Sequence, residues 1–133
     1  MAATAKVTSR RRLSSAPARS DGTISSYLRI GPGQGGLTGA LAPADLFGRS
    51  VAALGDLDAD GVVDLAVGAI KDDDGGSNRG ALYILFLNAD GTVKAEQKIS
   101  STQGGLSGAL DDEDRFGRSV AALGDLDADG VVD

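Results

Sequence analysis

Short apolar segments separated by glycine and aspartate set the hydropathy pattern of this chain. Residues 50–54 and 65–70 are apolar and of strand length, and residues 92–99 alternate loosely between polar and apolar positions. Residues 81–87 form one continuous apolar run, which is typical of a strand covered on both faces. A buried helix, the alternative for this run, does not fit only seven residues. The pattern therefore predicts four short strands joined by tight turns.

The same eighteen residues occur twice, first at residues 47–64 (the first copy) and again at 116–133 (the second copy). An offset of 69 residues also aligns residues 35–41 with 104–110, so the repetition extends beyond the identical block. Periods longer than a solenoid turn are typical of propellers and related arrays. The sequence therefore predicts an all-β fold built from four-stranded antiparallel β-propeller blades.

The repeat also predicts how the chain is divided. Repetition begins at about residue 21, so residues 21–133 form a predicted repeat region. We expect one full blade at about residues 47–99, a last strand of the preceding blade at about residues 23–30, and the first strand and loop of the next. Repeat units need about three copies to bury their faces. We therefore expect an incomplete propeller, either a fragment, a truncated gene product or a unit that needs further blades or self-association.

The net charge of −6 combines a basic leader with an acidic body. Residues 1–20 hold five of the 13 basic residues and no acid, so all 19 acids lie in the remainder. Such an acidic body repels nucleic-acid phosphates, which argues against a nucleic-acid partner. The leader is rich in serine and alanine and lacks the apolar segment of a signal peptide. We predict that it is disordered.

The residue types that are missing narrow the function further. The chain has no histidine and no cysteine, and no nucleophile–base pair is recognisable, so we expect a protein that is not an enzyme. The same absence argues against a zinc site. No apolar run approaches the roughly 20 residues of a membrane-spanning helix. We therefore predict no membrane span.

Alternating aspartates that end in glycine give each copy a candidate metal loop, residues 56–64 (the first loop) and 125–133 (the second loop). Carboxylates at loop positions 1, 3 and 5 can turn toward one point, and Gly61 at position 6 permits a sharp turn with positive φ. Four carboxylates, one carbonyl and water form the oxygen shell that calcium favours. The candidate ligands of the first loop are Asp56, Asp58, Asp60, Val62 through its carbonyl, and Asp64.

Two other interpretations of the first loop are weaker. An EF-hand requires glutamate at position 12 and a helix on each side, whereas position 12 is Val67 within a β-like run. An acidic surface turn that binds nothing does not account for four aspartates on this spacing in both copies. Two further acidic runs, at residues 72–74 and 111–114, are predicted to be solvated loops. Residues 42–45, which correspond to the second run, carry a single acid.

Three motifs together resemble the FG-GAP repeat, the blade unit of integrin α-chain propellers and of many bacterial surface proteins. They are Phe47-Gly48, the first loop, and Val67-Gly68-Ala69. The position of the family's proline is Ile70 here. The resemblance implies a structural calcium ion in the loop between the first and second strands of each blade. The implied ligands are Asp56, Asp58, Asp60, Val62 and Asp64, and in the second copy Asp125, Asp127, Asp129, Val131 and Asp133.

The resemblance also implies a biological role. Family propellers usually serve adhesion or ligand recognition outside the cell, so we expect an extracellular or cell-surface protein without catalytic activity. The ligand, a protein or a carbohydrate, is not identified by the sequence. Two alternatives stay open: an accessory propeller fragment of a larger secreted hydrolase, and a purely structural repeat.

Overall fold

Seven β-strands form the regular structure of the computed structural model, which describes residues 3–8, 12–17, 20–24 and 26–133. The strands are β1 (Ala3–Thr8), β2 (Arg12–Pro17), β3 (Leu28–Ile30), β4 (Phe47–Gly55), β5 (Asp64–Ala69), β6 (Ala81–Leu87) and β7 (Val93–Ile99). These residues contain no helix, so the predicted all-β class is confirmed. None of them forms a helix with the length and apolarity that crossing a bilayer requires.

Strands β4 to β7 form the predicted blade, a four-stranded antiparallel sheet in the order β4-β5-β6-β7. Strand β5 is buried at every position and lies between β4 and β6 in the sheet. Strand β6 alternates between buried and half-buried residues. Its fully covered face and its half-covered face explain why its sequence is apolar throughout. The propeller is therefore incomplete, as predicted, and strands β4 to β7 form one complete blade of it.

The core lies on one face of the blade. Val67 and Leu85 are fully buried there, and the ring of Phe47 meets that of Tyr83 edge to face at 5.5 Å between centroids. Ile30, at the end of β3, is also fully buried in this cluster. The segment that precedes the blade thus packs against it.

Strands β1 and β2 lie in the segment for which the sequence predicts disorder. They pair antiparallel with each other, and β2 pairs with β3 in a three-stranded sheet. Strand pairing uses backbone groups, which a serine- and alanine-rich segment also offers. The disorder expected for residues 1–20 stays a prediction. Residues 1–2, 9–11 and 18–19 of the leader lie outside the described residues. The boundary between a leader at 1–20 and a repeat region at 21–133 stays a prediction.

The second copy of the repeat forms no strand within the described residues, although a first strand was predicted there. In the first copy β4 is held by its pairing with β5, which begins at Asp64. The corresponding position of the second copy is Asp133, the last residue of the sequence. The second copy therefore lacks, within this sequence, the strand that its counterpart pairs with.

Phe116 and Gly117 attach the second copy to the blade. The amide of Phe116 donates to the carbonyl of Arg79 at 2.8 Å and forms a parallel bridge with Gly80. The hydroxyl of Ser50 donates to the carbonyl of Gly117 at 2.6 Å. Gly117 is buried against Gly68 of β5, where a side chain on either residue would collide.

Candidate metal centre

The first loop connects β4 to β5 at one end of the blade. Alternate connections of an antiparallel sheet in chain order lie at the same end, so the turn between β6 and β7 lies beside this loop. After a register shift between Ala53 and Gly55, β4 ends with the pairing of Gly55 with Asp64, just before the loop begins. The aspartates of the first loop are therefore held between two strands, as the sequence predicted.

The backbone of the first loop is folded by its own aspartates. Asp56 accepts hydrogen bonds from the amides of Asp60, at 3.0 Å, and of Gly61, at 2.8 Å. The amide of Val62 donates to Oδ1 of Asp60 at 2.8 Å. Gly61 has a φ of 85°, so the positive φ expected at this position is found. Ala59 has a positive φ of 60° as well, which the sequence did not indicate.

Three carboxylates of the first loop converge. Asp56, Asp58 and Asp60 each offer an oxygen, and these oxygens all lie within 4.8 Å of one another. Oxygens on opposite sides of a calcium ion are about 4.6–5.2 Å apart, because each Ca–O distance is about 2.3–2.6 Å. The spacing is therefore compatible with three oxygens around one ion.

Asp64 has a different place from the other three aspartates. Its side chain is fully buried, and its two oxygens accept hydrogen bonds from the amides of Leu57, at 2.9 Å, and Leu87, at 3.0 Å. A buried carboxylate has to be hydrogen-bonded in this way to offset its lost hydration. Asp64 is not a member of the converging group. Its two hydrogen bonds join the first loop to the end of β6. Its role as a ligand, and that of the Val62 carbonyl, stays a prediction.

Lys94, on β7, places its ammonium among the converging carboxylates. Its Nζ lies 2.7 Å from Oδ2 of Asp58 and also contacts Oδ2 of Asp60. Hydrogen bonds from Lys94 and then from the Val62 amide hold the pKa of Asp60 below its ordinary value. Hydrogen bonds to Asp58, and then to Asp60, raise the pKa of Lys94. A positive group therefore already lies among these carboxylates.

The second loop has the same backbone arrangement as the first. Asp125 accepts the amides of Asp129, at 3.0 Å, and of Gly130, at 2.9 Å. The converging group differs, however, because it consists of Asp125, Asp127 and Asp133 and does not include Asp129. All of these acids are exposed, and Asp133 accepts the amide of Leu126 at 2.7 Å. The coordination implied for the Val131 carbonyl stays a prediction.

A second acidic cluster corrects one expectation. Residues 72–74 were predicted to form a solvated loop, but Asp72 is only 3% exposed. The ammonium of Lys98 lies 2.9 Å from Asp72 and the hydroxyl of Tyr83 donates to it at 3.4 Å. The prediction was wrong for Asp72, whereas Asp73 is exposed. The burial of Asp72 was missed because Lys98 lies 26 residues away along the chain, on β7, and the pairing of β6 with β7 brings it to the acid.

The chain matches the family described as "FG-GAP repeat" over residues 41–86. This segment contains β4, the first loop, β5 and all of β6 except its last residue. The matched region thus coincides with the part of the blade that positions Asp56, Asp58 and Asp60.

Curated relatives of the chain include several integrin α-chains. Integrin alpha pat-2 of Caenorhabditis briggsae is 36% identical over 116 residues, which is 84% of this chain and 9% of that protein. Integrin alpha-2 of Mus musculus is 36% identical over 89 residues, 65% of this chain and 7% of that protein. Integrin alpha-4 of Xenopus laevis is 30% identical over 121 residues, 86% of this chain and 11% of that protein. The chain spans about a tenth of the length of these relatives.

Proposed function

Because this chain belongs to the FG-GAP repeat family, we propose that it forms calcium-stabilised blade structure of an extracellular β-propeller. Its role is adhesion or ligand recognition, and it carries out no catalysis. The convergence of Asp56, Asp58 and Asp60 between two strands of the blade is the observation that carries the calcium assignment.

Calcium is proposed because of the donor atoms and their arrangement. The converging groups consist of carboxylates alone, and the chain has no histidine or cysteine to favour zinc. Magnesium requires a compact octahedron and keeps several waters, whereas calcium accepts a flexible shell of six to eight oxygens. Extracellular calcium modules bind with a Kd of about 10⁻⁴–10⁻³ M, and we expect affinities in this range.

Calcium in the first loop would stabilise the blade. Three carboxylates whose oxygens lie within 4.8 Å are only partly neutralised by the single charge of Lys94, and a divalent cation among them supplies more positive charge. The loop joins β4 to β5, and Asp64 joins it to the end of β6. An ion that binds only the folded loop therefore raises the free energy of unfolding of the whole blade.

The proposed role in adhesion rests on the family and on the surface of the blade. The relatives named above are integrin α-chains, and this chain corresponds to a short segment of each. One face of β6 is only half-buried, at Leu82, Ile84 and Phe86. We propose that further blades or self-association cover this face in the working assembly, and that the completed propeller binds a protein or carbohydrate ligand outside the cell.

Thermal unfolding of the 133-residue chain at increasing calcium concentration tests the proposal. At a concentration ten times the Kd, one bound ion raises the free energy of unfolding by about 1.4 kcal/mol. The double variant Asp58→Asn with Asp127→Asn removes one carboxylate from each converging group. It is expected to lose most of the rise in Tm.

Asp111→Asn is the matched control, because Asp111 is an exposed acid outside both loops. It is expected to keep the full calcium response, and magnesium at equal concentration is expected to give a smaller rise in Tm. The calcium assignment fails if the wild-type Tm does not rise, or if the double variant responds like the wild type.

A further inference from the structure

We propose that Lys94 is a tethered competitor for the cation of the first loop, and that removal of its ammonium raises the calcium affinity of that loop alone. The inference rests on the proposed function, since it concerns the regulation of the same site. It starts from the position of Nζ of Lys94, which contacts the carboxylates of both Asp58 and Asp60.

The ammonium and a bound calcium ion would require the same oxygens. Asp58 and Asp60 are two of the three acids that converge in the first loop, and both already accept the charge of Lys94. Two cations within a few ångströms of each other also repel, and water screens that repulsion because Asp58, Asp60 and Lys94 are exposed residues. The shared oxygens therefore decide the competition. Calcium therefore has to displace the ammonium when it binds.

The fold holds Lys94 beside the loop. Lys94 follows the turn between β6 and β7, in which the amide of Asn88 donates to the carbonyl of Thr92 at 2.7 Å. Val93, the neighbour of Lys94, pairs with Leu87, and Leu87 itself donates to Asp64 of the first loop. The backbone at Lys94 is thus connected to the loop through one strand pair and one hydrogen bond. A cation on such a short, ordered connection competes at a high effective concentration.

The second loop offers a comparison within the same chain. Its sequence is identical and its backbone hydrogen bonds match those of the first loop. Within the part of the chain that the structure describes, no lysine or arginine forms an ion pair with Asp125, Asp127, Asp129 or Asp133. Among the side chains that the structure describes, a calcium ion entering the second loop therefore has no ammonium to displace.

Site-resolved calcium titration by ¹H–¹⁵N NMR of the full chain tests the inference. The amide of Gly61 donates to Asp56 and the amide of Gly130 donates to Asp125, so each amide reports on its own loop. Lys94→Gln is expected to lower the calcium concentration at half-saturation of Gly61 about three- to tenfold, since two partly exposed ion pairs no longer compete. The midpoint of Gly130 is expected to stay unchanged.

Two control variants separate this effect from a general change in charge. Lys71→Gln removes a lysine that lies outside both loops, and is expected to leave the Gly61 midpoint at the wild-type value. Lys94→Arg keeps a positive charge on the same side-chain position, so its Gly61 midpoint is expected to stay well above that of Lys94→Gln. Retained dispersion of the NMR spectrum shows that each variant is folded.

The outcomes distinguish this inference from the proposed function. If Gly61 responds to calcium with the same midpoint in wild type and in Lys94→Gln, the competition is refuted while the calcium site stands. An equal shift in Lys71→Gln also refutes it, because the effect would then come from net charge. If neither glycine responds to calcium in any variant, the calcium assignment itself is overturned, and the inference about Lys94 with it.

Discussion

The two copies of the repeat share eighteen identical residues, yet they differ in structure. Residues 47–55 form β4 in the first copy, whereas the second copy forms no strand. The last aspartate of the block is fully buried in the first copy, as Asp64, and exposed in the second, as Asp133. The same sequence therefore gives two different environments for its acids.

The loops themselves do not differ in the same way. Ala59 and Ala128 have φ values of 60° and 63°, and Gly61 and Gly130 have values of 85° and 91°. The hydrogen bonds that fold each loop span at most seven residues, so each loop carries its own partners. The comparison teaches that the loop conformation is local, whereas the strand and the buried aspartate require the rest of the blade.

Replacement of the corresponding aspartates gives the largest expected contrast. Asp64→Ala leaves the amides of Leu57 and Leu87 without their buried acceptor, which is expected to cost about 3 kcal/mol. Asp133→Ala removes an exposed carboxylate and is expected to change the free energy of unfolding by under about 0.5 kcal/mol. Urea unfolding of both variants measures the difference, and equal losses would show that burial does not distinguish the copies.

The contact between the second copy and the blade can be broken at Gly68, on β5. A Cβ at this position collides with the carbonyl of Gly117 and the hydroxyl of Ser50, so Gly68→Ala is expected to destabilise by about 2 kcal/mol. Hydrogen exchange at the Phe116 amide, which is bonded to Arg79, is expected to accelerate.

Gly108→Ala is the matched control for this substitution, because a Cβ at Gly108 meets no atom within 4 Å. It is expected to leave exchange at Phe116 unchanged. The same acceleration in both variants would mean that Phe116 is not held by close contact with β5.

A titratable group in the connection between β5 and β6 holds the segment that follows β7. Asp74 accepts hydrogen bonds from the hydroxyls of Ser100, at 2.6 Å, and Thr102, at 2.7 Å. These bonds, that of Ser100 first, lower the pKa of Asp74 from its ordinary 3.8. The contribution of these bonds to the free energy of unfolding is complete above the ordinary pKa of Asp74, and it is lost as the pH falls through the lowered pKa.

The variant Asp74→Asn is therefore expected to cost about 1 to 2 kcal/mol at neutral pH and progressively less in acid. Urea midpoints of wild type and variant, measured from pH 6 to pH 2.5, give the difference as a function of pH. A difference that stays constant across this range would contradict the assignment to Asp74.

The smallest expected effect tests whether the loops are truly local. Gly61→Ala and Gly130→Ala place a side chain at a positive φ where no atom obstructs it, so the backbone strain alone costs about 1 kcal/mol. Hydrogen exchange at the amides of Val62 and Val131 reports on each loop. Equal acceleration in both loops is expected, and a response in only one would show that the blade also determines loop conformation.

The sequence predicted the strands well where an apolar run ends at a polar turn. The bounds of β6 match the predicted residues 81–87, and β7 differs by one residue from the predicted 92–99. Strand β4 starts three residues before the predicted 50–54 because Phe47 pairs with Ala69 of β5. That pairing is a tertiary contact, which the hydropathy pattern does not contain.

The candidate site was predictable only in its local part. The spacing of Asp56, Asp58 and Asp60 was sufficient to place three carboxylates around one point. The burial of Asp64 depends on Leu87, 23 residues away, and the pairing of Lys94 with Asp60 spans 34 residues. No pattern in the sequence signals either contact, because both arise when β6 and β7 fold back beside the first loop.

The close contact of Gly68 with Gly117 has a consequence for how such a chain can change in length. Gly117 is the same position of the repeat as Gly48, and it rests on β5 of the preceding unit. Each repeat therefore brings the surface that meets the unit before it. Gain or loss of a whole 69-residue period recreates the same contact at the new boundary. The number of blades can change in this way without a new interface.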